Sequence, residues 1–364
     1  MKSMCQPTQV TKLSASPGQP AEPHSGNLQR SNKPFISVVI PTYNRCQMLM
    51  TAIESVLAQT YPAFEIVVVD DGSSDGTGEM LQRFIDRRSG RGVQIPPIRY
   101  FYQSNQGQSV ARNKAVEEAR GEWIAFLDSD DPWFSEKLEW QVRAIAQFKN
   151  DCGACLTDAK LWNNLDMDTT AFKNAGKHYE QTVGIIPDAV RCLAKSFGHW
   201  WAQTLLVRKD LISRAGGFDP ALHYGEDYDF LFRLSLITKY CYVNKILVSI
   251  NRTNANTDPH AGSRLWDKLE IQFQGRQYMY EKWLKLSAGL PSDVRRTLVQ
   301  NLRGVHSLWA NWYLEIGEYE KARQAVSTAV KYELTPTLAV KWALIRIAPA
   351  FARRIAPKSK SLLV

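Results

Sequence analysis

A chain of 364 residues, 44% hydrophobic and 11% aromatic, is long enough for about two domains and carries an ordinary globular core. Its net charge of +9 suggests an anionic partner, and on composition alone nucleic acid, an acidic membrane and a phosphorylated substrate all stay open. No run of about 18 apolar residues occurs, so no segment is expected to span a membrane, and six cysteines without framework spacing predict a reduced, cytoplasmic chain without disulfides.

Residues 1–33 are rich in Ser, Pro, Gln and Gly and lack an apolar stretch. They read as disordered and not as a signal peptide. Ile36–Ile40 and Phe64–Val69 are short β-branched runs, mostly apolar rather than alternating, which predicts strands buried on both faces as in a parallel sheet. Between them Leu49, Ala52, Ile53, Val56 and Leu57 recur at helical spacing. Strand, helix and strand make a βαβ unit with a right-handed crossover, and ligands of such sheets bind beyond the carboxyl ends of the strands. Two polar clusters stand there: Pro41-Thr42-Tyr43-Asn44-Arg45 and Asp70-Asp71-Gly72-Ser73-Ser74-Asp75. They should meet in one crevice.

A helix is predicted over 77–87, then a Gly/Arg/Pro-rich loop over 89–97 and a third strand over 98–103. A loop then enters a helix that stops at Gly121. A fourth strand within 122–133 ends in acids, and a helix follows over 135–148. This strict alternation argues for an α/β sheet. From 152 to 209 the pattern weakens into a strand-like 153–162, a polar loop and the aromatic cluster of 197–207. Cys152 and Cys155 form a lone Cys-x-x-Cys, read as reduced cysteines in a buried segment ahead of a zinc or redox pair. A glycine-marked turn leads to an amphipathic helix with Phe230, Leu231 and Leu234 on one side, and 240–252 is the last clear strand.

From about 264 the chain reads as helices. Tyr313, Gly317, Tyr319, Ala322 and Ala329 match one tetratricopeptide repeat, and a single copy reads as a helical hairpin packed on the preceding domain. Residues 338–360 mix Trp342, Leu344, Ile345, Ile347 and Phe351 with Lys341, Arg346, Arg353, Arg354, Lys358 and Lys360. Such a basic amphipathic segment suits an anionic membrane surface, or equally a terminal helix packed on the domain with its basic residues in solvent. The expected division is a disordered 1–33, an α/β domain over 34–263, a helical extension over 264–335 and a basic tail over 336–364.

Three acidic clusters remain: Asp70-Asp71, Asp128-Ser129-Asp130-Asp131, and Glu226-Asp227 with Asp229. Turn chemistry and capping account for Ser73, Ser74 and Asp75. They account poorly for the middle cluster, whose three carboxylates repel one another unless a cation neutralises them, and oxygen ligands suit Mg²⁺ or Mn²⁺. Such ions are held by one or two carboxylates plus substrate phosphates, which implies a diphosphate ligand. Neither a Walker-type lysine loop nor a G-x-G-x-x-G is present. Asp229 and Arg233, one helical turn apart, are expected to pair on the helix surface.

From Ile36 to about Val248 the chain resembles the family 2 glycosyltransferases of the GT-A fold. The matching pieces, in order, are "VVIPTYNR", "VVVDDGSSDGT", "NQGQSVARN", "GEWIAFLDSDD", "GGFD" and "GEDYDFLFRL". The resemblance implies a Rossmann-like, mixed and mostly parallel sheet flanked by helices, a nucleotide-sugar donor, a glycan or lipid-linked acceptor, and Mn²⁺ or Mg²⁺. It places Pro41, Thr42 and Tyr43 around the base, with the Tyr43 ring offered for stacking. Asp71 matches the acid that accepts from the base, and Asp70 supports the same turn. Arg45 and Arg112 fall nearest the ribose and phosphates, Arg112 through its "ARN".

Asp128 and Asp130 form the D-x-D of the resemblance, while Asp130 and Asp131 match its paired form. The metal-contacting carboxylate stays open, with Asp130 favoured. Asp227 matches the base that takes a proton from the acceptor hydroxyl as it attacks opposite the nucleotide, a single displacement with inversion. Glu226 binds acceptor or assists. In "FGHWW", Trp200 and Trp201 read as an acceptor-side platform or as core, and His199 as an outside candidate for a third metal ligand. Competing expectations are an inactive sugar-nucleotide-binding scaffold and a sugar nucleotidyltransferase, which would want a Gly-rich, lysine-bearing first loop. Nucleic-acid binding fits poorly, because the basic cluster is terminal while the sheet ends are acidic. The enzyme would be cytoplasmic, peripheral on the inner face of the membrane.

Overall fold

The computed structural model describes residues 33–90, 92, 95–162, 169–195, 200–251 and 269–356, so the N-terminal expectation lies outside the described residues apart from Lys33. Its first part alternates strand and helix: β1 (Ile36–Thr42), α1 (Cys46–Leu57), β2 (Phe64–Asp70), α2 (Thr77–Ser89), β3 (Ile98–Tyr102), α3 (Gln108–Glu118) and β4 (Trp123–Phe126). β1 pairs in parallel with β2 and β4, and β2 with β3. Every residue of β1 and β2 is buried, which is why both are mostly apolar without alternation, and the buried polar pair Ser37 and Glu65 is joined by a hydrogen bond at 2.7 Å. Val38, Ile40, Ile66 and Val68 share a layer with Leu49, Ile53 and Val56 of α1. Val39, Val67 and Val69 share the other with Ala111 and Ala115 of α3.

The second part is α4 (Lys137–Gln147), β5 (Cys152–Trp162), α5 (Ala171–Asn174), β6 (Val183–Ile185), α6 (Ala189–Lys195), β7 (Leu205–Arg208), α7 (Lys209–Ala215), α8 (Glu226–Ser235) and β8 (Lys239–Asn251). The strands complete one mixed sheet in the order β3-β2-β1-β4-β7-β5-β8-β6. β5 and β8 run parallel, while β7 is antiparallel to both β4 and β5 and β6 is antiparallel to β8. The short elements α5, β6, α6, β7 and α7, of 4, 3, 7, 4 and 7 residues, are those the sequence reading leaves unassigned. None is long enough to display a hydrophobic period. Cys152, Cys155 and Cys241 are free and buried together where β5 meets β8.

The C-terminal helices are α9 (Leu269–Leu286), α10 (Ser292–Glu315), α11 (Tyr319–Tyr332), α12 (Pro336–Ile347) and α13 (Pro349–Ile355). Phe273, Trp283, Leu298 and Leu302 of α9 and α10 join the same core as Phe230 of α8. Trp283 stacks on Phe232 at 4.0 Å. α10 and α11 form a hairpin that turns at Gly317, whose φ of 84° favours glycine. Ala310, Leu314, Ala322, Val326, Leu338 and Ile345 make a small second core among α10, α11 and α12. Among the described residues no helix is long and apolar enough to cross a membrane.

Candidate active site

The two polar clusters meet as the βαβ unit requires. Thr42 lies opposite Asp70 in the sheet, and its carbonyl accepts from the Asp71 N–H at 2.9 Å. The loops beyond are stapled side chain to backbone. Asn44 N–H donates to Ser73 Oγ at 2.8 Å, Ser74 N–H to Asn44 Oδ1 at 2.8 Å, and Cys46 N–H to Asp75 Oδ2 at 3.0 Å. Asp70 is a turn residue, accepting from Ser73 N–H and from the Tyr100 hydroxyl, each at 2.8 Å. Burial and that carboxylate raise the Tyr100 pKa.

Asp71 is buried and clasps the loop ahead of α3, accepting from Gln103 Nε2 at 2.7 Å, Gln106 N–H at 2.9 Å and Gly107 N–H at 2.8 Å. A carboxylate has about four acceptor directions, so one is left for a ligand. Gly72 makes this approach possible: its φ is 89°, and a Cβ there would stand 2.8 Å from Asn105 N. Pro41 and Thr42 floor the crevice, with the Thr42 hydroxyl buried and lacking a protein partner. Tyr43 stands at the rim, 48% exposed.

The acidic loop after β4 is held from two sides. Asp128 accepts from Arg112 Nη2 at 2.7 Å, from Gln108 Nε2 at 3.2 Å and from Gln203 Nε2. Gln203 also donates to buried Asp131 at 3.0 Å. Asp130 pairs with Arg45 at 2.9 Å and is the more open of the loop's carboxylates. Gln203 reaches the loop because β7 runs antiparallel beside β4, so the turn Ala202–Thr204 that precedes it ends next to residues 128–131. Gln141 of α4 supports that turn by donating to the Thr204 carbonyl at 2.9 Å, and accepts from buried Lys137 at 2.9 Å. Burial depresses the Lys137 pKa to about 7.

Arg112 is 2% exposed, lies over the Phe218 ring at 5.1 Å and bridges Asp128 to Glu226, at 2.7 and 2.9 Å. Flanking carboxylates hold it charged against desolvation. Arg112, expected nearest the ribose and phosphates, is a buried link between the acidic loop and α8. Glu226 and Asp227 occupy the first turn of α8, where the helix dipole favours carboxylates. Asp227 accepts from the Tyr228 N–H at 2.8 Å. Desolvation, reinforced by Glu226 and opposed by Arg112, pushes its pKa up to about 7.

Two expectations are corrected. Asp229 does pair with Arg233, at 2.7 Å, but it is fully buried and not on the helix surface, because α9 covers it and adds Lys282 Nζ at 2.9 Å and Trp283 Nε1 at 3.1 Å. Trp200 and Trp201 are core side chains, 3% and 5% exposed, packed into opposite layers of the sheet, so neither presents a face to a sugar. His199 lies outside the described residues. Gln203 was not singled out in the sequence; only its closeness to the aromatic cluster marked the region.

Residues 37–190 match the family model for glycosyl transferase family 2. An uncharacterised glycosyltransferase of Rickettsia typhi is 29% identical over 245 residues, covering 65% of this chain and 70% of its own. TuaG of Bacillus subtilis, a glycosyltransferase assigned to teichuronic acid biosynthesis, is 44% identical over 117 residues, 32% of this chain and 43% of that one. Among solved structures, S. aureus TarS 1-349 in complex with UDP-GlcNAc superposes with a TM-score of 0.64 at 19% identity, over 90% of this chain and 91% of that one. The mannosyltransferase PcManGT from Pyrobaculum calidifontis, in complex with GDP-Man and Mn²⁺, does so at 0.51 and 18% identity, over 92% and 86%. At such identities these structures speak for the fold alone, and together with the family match they complete the assignment: residues 37–190 form a glycosyl transferase family 2 region, built on the GT-A fold.

Proposed function

We propose that the enzyme moves a sugar from a nucleotide diphosphate, UDP-sugar by default, to a hydroxyl of a glycan or lipid-linked acceptor, in one displacement that inverts the anomeric centre. The observation that carries this reading is the Arg112 bridge, which sets the acidic loop and the first turn of α8 side by side. Arg112 occupies Glu226 and leaves Asp227 as the carboxylate whose pKa, about 7, suits a general base. A covalent double displacement would ask for a second, nucleophilic carboxylate beside it, whereas the bridge commits Glu226 to a cation. UDP-GlcNAc in TarS and GDP-Man in PcManGT support a nucleotide-sugar donor. Tyr43, Thr42 and the remaining acceptor direction of Asp71 would take the base.

The residues of the acidic loop fit a hard divalent cation, Mn²⁺ or Mg²⁺. All are oxygen donors, and Asp128 and Asp131 are fixed by Gln203 behind the more open Asp130. Among the described residues no three His, Cys, Asp or Glu side chains form a ready cage, so substrate oxygens would complete the shell. When bound, the cation supplies positive charge for the departing diphosphate. Arg45, now on Asp130, is placed to follow that charge.

A thermal-shift series with UDP, GDP and dTDP, each with Mn²⁺, Mg²⁺ or EDTA, tests the donor site, because a ligand of the native state raises its stability by mass action. A metal-dependent shift for one nucleotide, lost in Asp130→Ala, is expected. No shift for any nucleotide in folded protein would count against the reading and for an inactive scaffold.

A further inference from the structure

The last two helices carry a face that the fold leaves unused. α12 buries Leu338 and Ile345 in the second core, and α13 buries Ala352. Val340 and Ile347 are seven residues apart, and so on one face of α12, away from that buried pair. They are 61% and 83% exposed. On α13, Phe351 and Ile355 are one turn apart and 54% and 56% exposed. The two helices are joined by the single residue Ala348. Exposed apolar residues scattered singly need no account, but four large ones on consecutive short helices do.

Charge identifies the occupant. No Asp or Glu follows Glu333, whereas Lys341, Arg346, Arg353, Arg354, Lys358 and Lys360 do, so residues 334–364 carry six basic side chains and no acidic one in a chain with net charge +9. Arg346, Arg353 and Arg354 are exposed beside the apolar side chains. Aliphatic and aromatic side chains flanked by arginine, with no acid among them, match the layered chemistry of an anionic bilayer, phosphate above hydrocarbon. A protein partner would need its own acids set against each arginine, while a bilayer supplies them as a continuum.

We propose that α12 and α13 form a docking surface for an anionic membrane. Val340, Ile347, Phe351 and Ile355 enter the headgroup boundary, and Arg346, Arg353 and Arg354 meet lipid phosphates. The surface is separate from the donor site, so the two readings stand or fall independently.

Co-sedimentation of the full chain with vesicles tests it, comparing equal parts phosphatidylcholine and phosphatidylglycerol against phosphatidylcholine alone. Binding is expected to the anionic vesicles only, and to weaken with salt. Arg353→Glu with Arg354→Glu, and separately Ile347→Asp with Phe351→Asp, should each weaken binding by about tenfold or more. Both variants should keep the wild-type nucleotide thermal shift, which reports their folding. Failure to bind either vesicle, equal binding to both, or anionic binding untouched by both variants overturns the proposal. So does a vesicle-indifferent dimer that Ile347→Asp with Phe351→Asp makes monomeric, which would assign the face to a second copy.

Discussion

The front of α8, facing the crevice, and its back, packed on α9, treat carboxylates in opposite ways. At the back, Asp229 is fully buried but receives Arg233, Lys282 and Trp283, so its charge is compensated at every side. At the front, Asp227 has the Tyr228 N–H, a like-charged neighbour in Glu226, and an Arg112 whose two bridges go elsewhere. Two residues of one helical turn therefore end as a structural anchor and as a group poised to exchange a proton. Compensation separates them: fully buried Asp229 has its charge met, whereas part-buried Asp227 stands beside a like charge.

The sharpest way to break this contrast is Asp227→Asn, expected to lower turnover by about 10²–10⁴-fold while sparing the nucleotide thermal shift. Wild-type activity should fall as pH drops below about 7, where Asp227 takes up its proton, and steady-state rates across pH check this. The stability effect has the other sign. The folded pKa lies above the unfolded value, so the group's contribution is present at low pH and lost as pH rises through about 7. Melting temperatures should then favour Asp227→Asn over wild type more at about pH 8 than at about pH 5.

Arg112→Met comes next. It strands Asp128 and Glu226 without their shared cation and should cost about 3–5 kcal/mol in denaturant unfolding. Asp229→Asn sharpens the comparison from the back of the helix. It should cost about 1.5–3 kcal/mol, the value of hydrogen bonds to a charged group, since Lys282 keeps Asp219 at 2.6 Å. Its pH–rate profile should match wild type, whereas a moved profile would mean the two faces are not independent. The smallest effect is Arg45→Gln. Its partly exposed pair with Asp130 is worth less than about 1 kcal/mol of stability, yet the nucleotide shift should shrink.

Much of the crevice was legible because its parts are local. β1 and β2 announce themselves by β-branched, mostly apolar runs, and Asn44, Ser73 and Asp75 are turn residues whose bonds staple neighbouring loops. What escaped depends on distant partners. Gln203 meets Asp131 across 72 residues only because β7 enters the sheet antiparallel, which no βα alternation foretells. Lys282 and Trp283 reach Asp229 from α9, turning an apparent surface pair into a buried one. Arg112 was noticed, but its burial rests on Phe218 and Glu226, about a hundred residues on. Trp200 and Trp201 could not be sorted by pattern, since adjacent residues of an extended stretch point to opposite faces whether the site is core or cleft.

The central claim, inversion driven by Asp227, is tested most directly by the anomer first released from an α-linked sugar nucleotide with water as acceptor. Proton NMR can follow it ahead of mutarotation. A β-configured product from wild type, with none above background from Asp227→Asn, is the predicted result. An α-configured product, or undiminished release by the variant, would contradict the account.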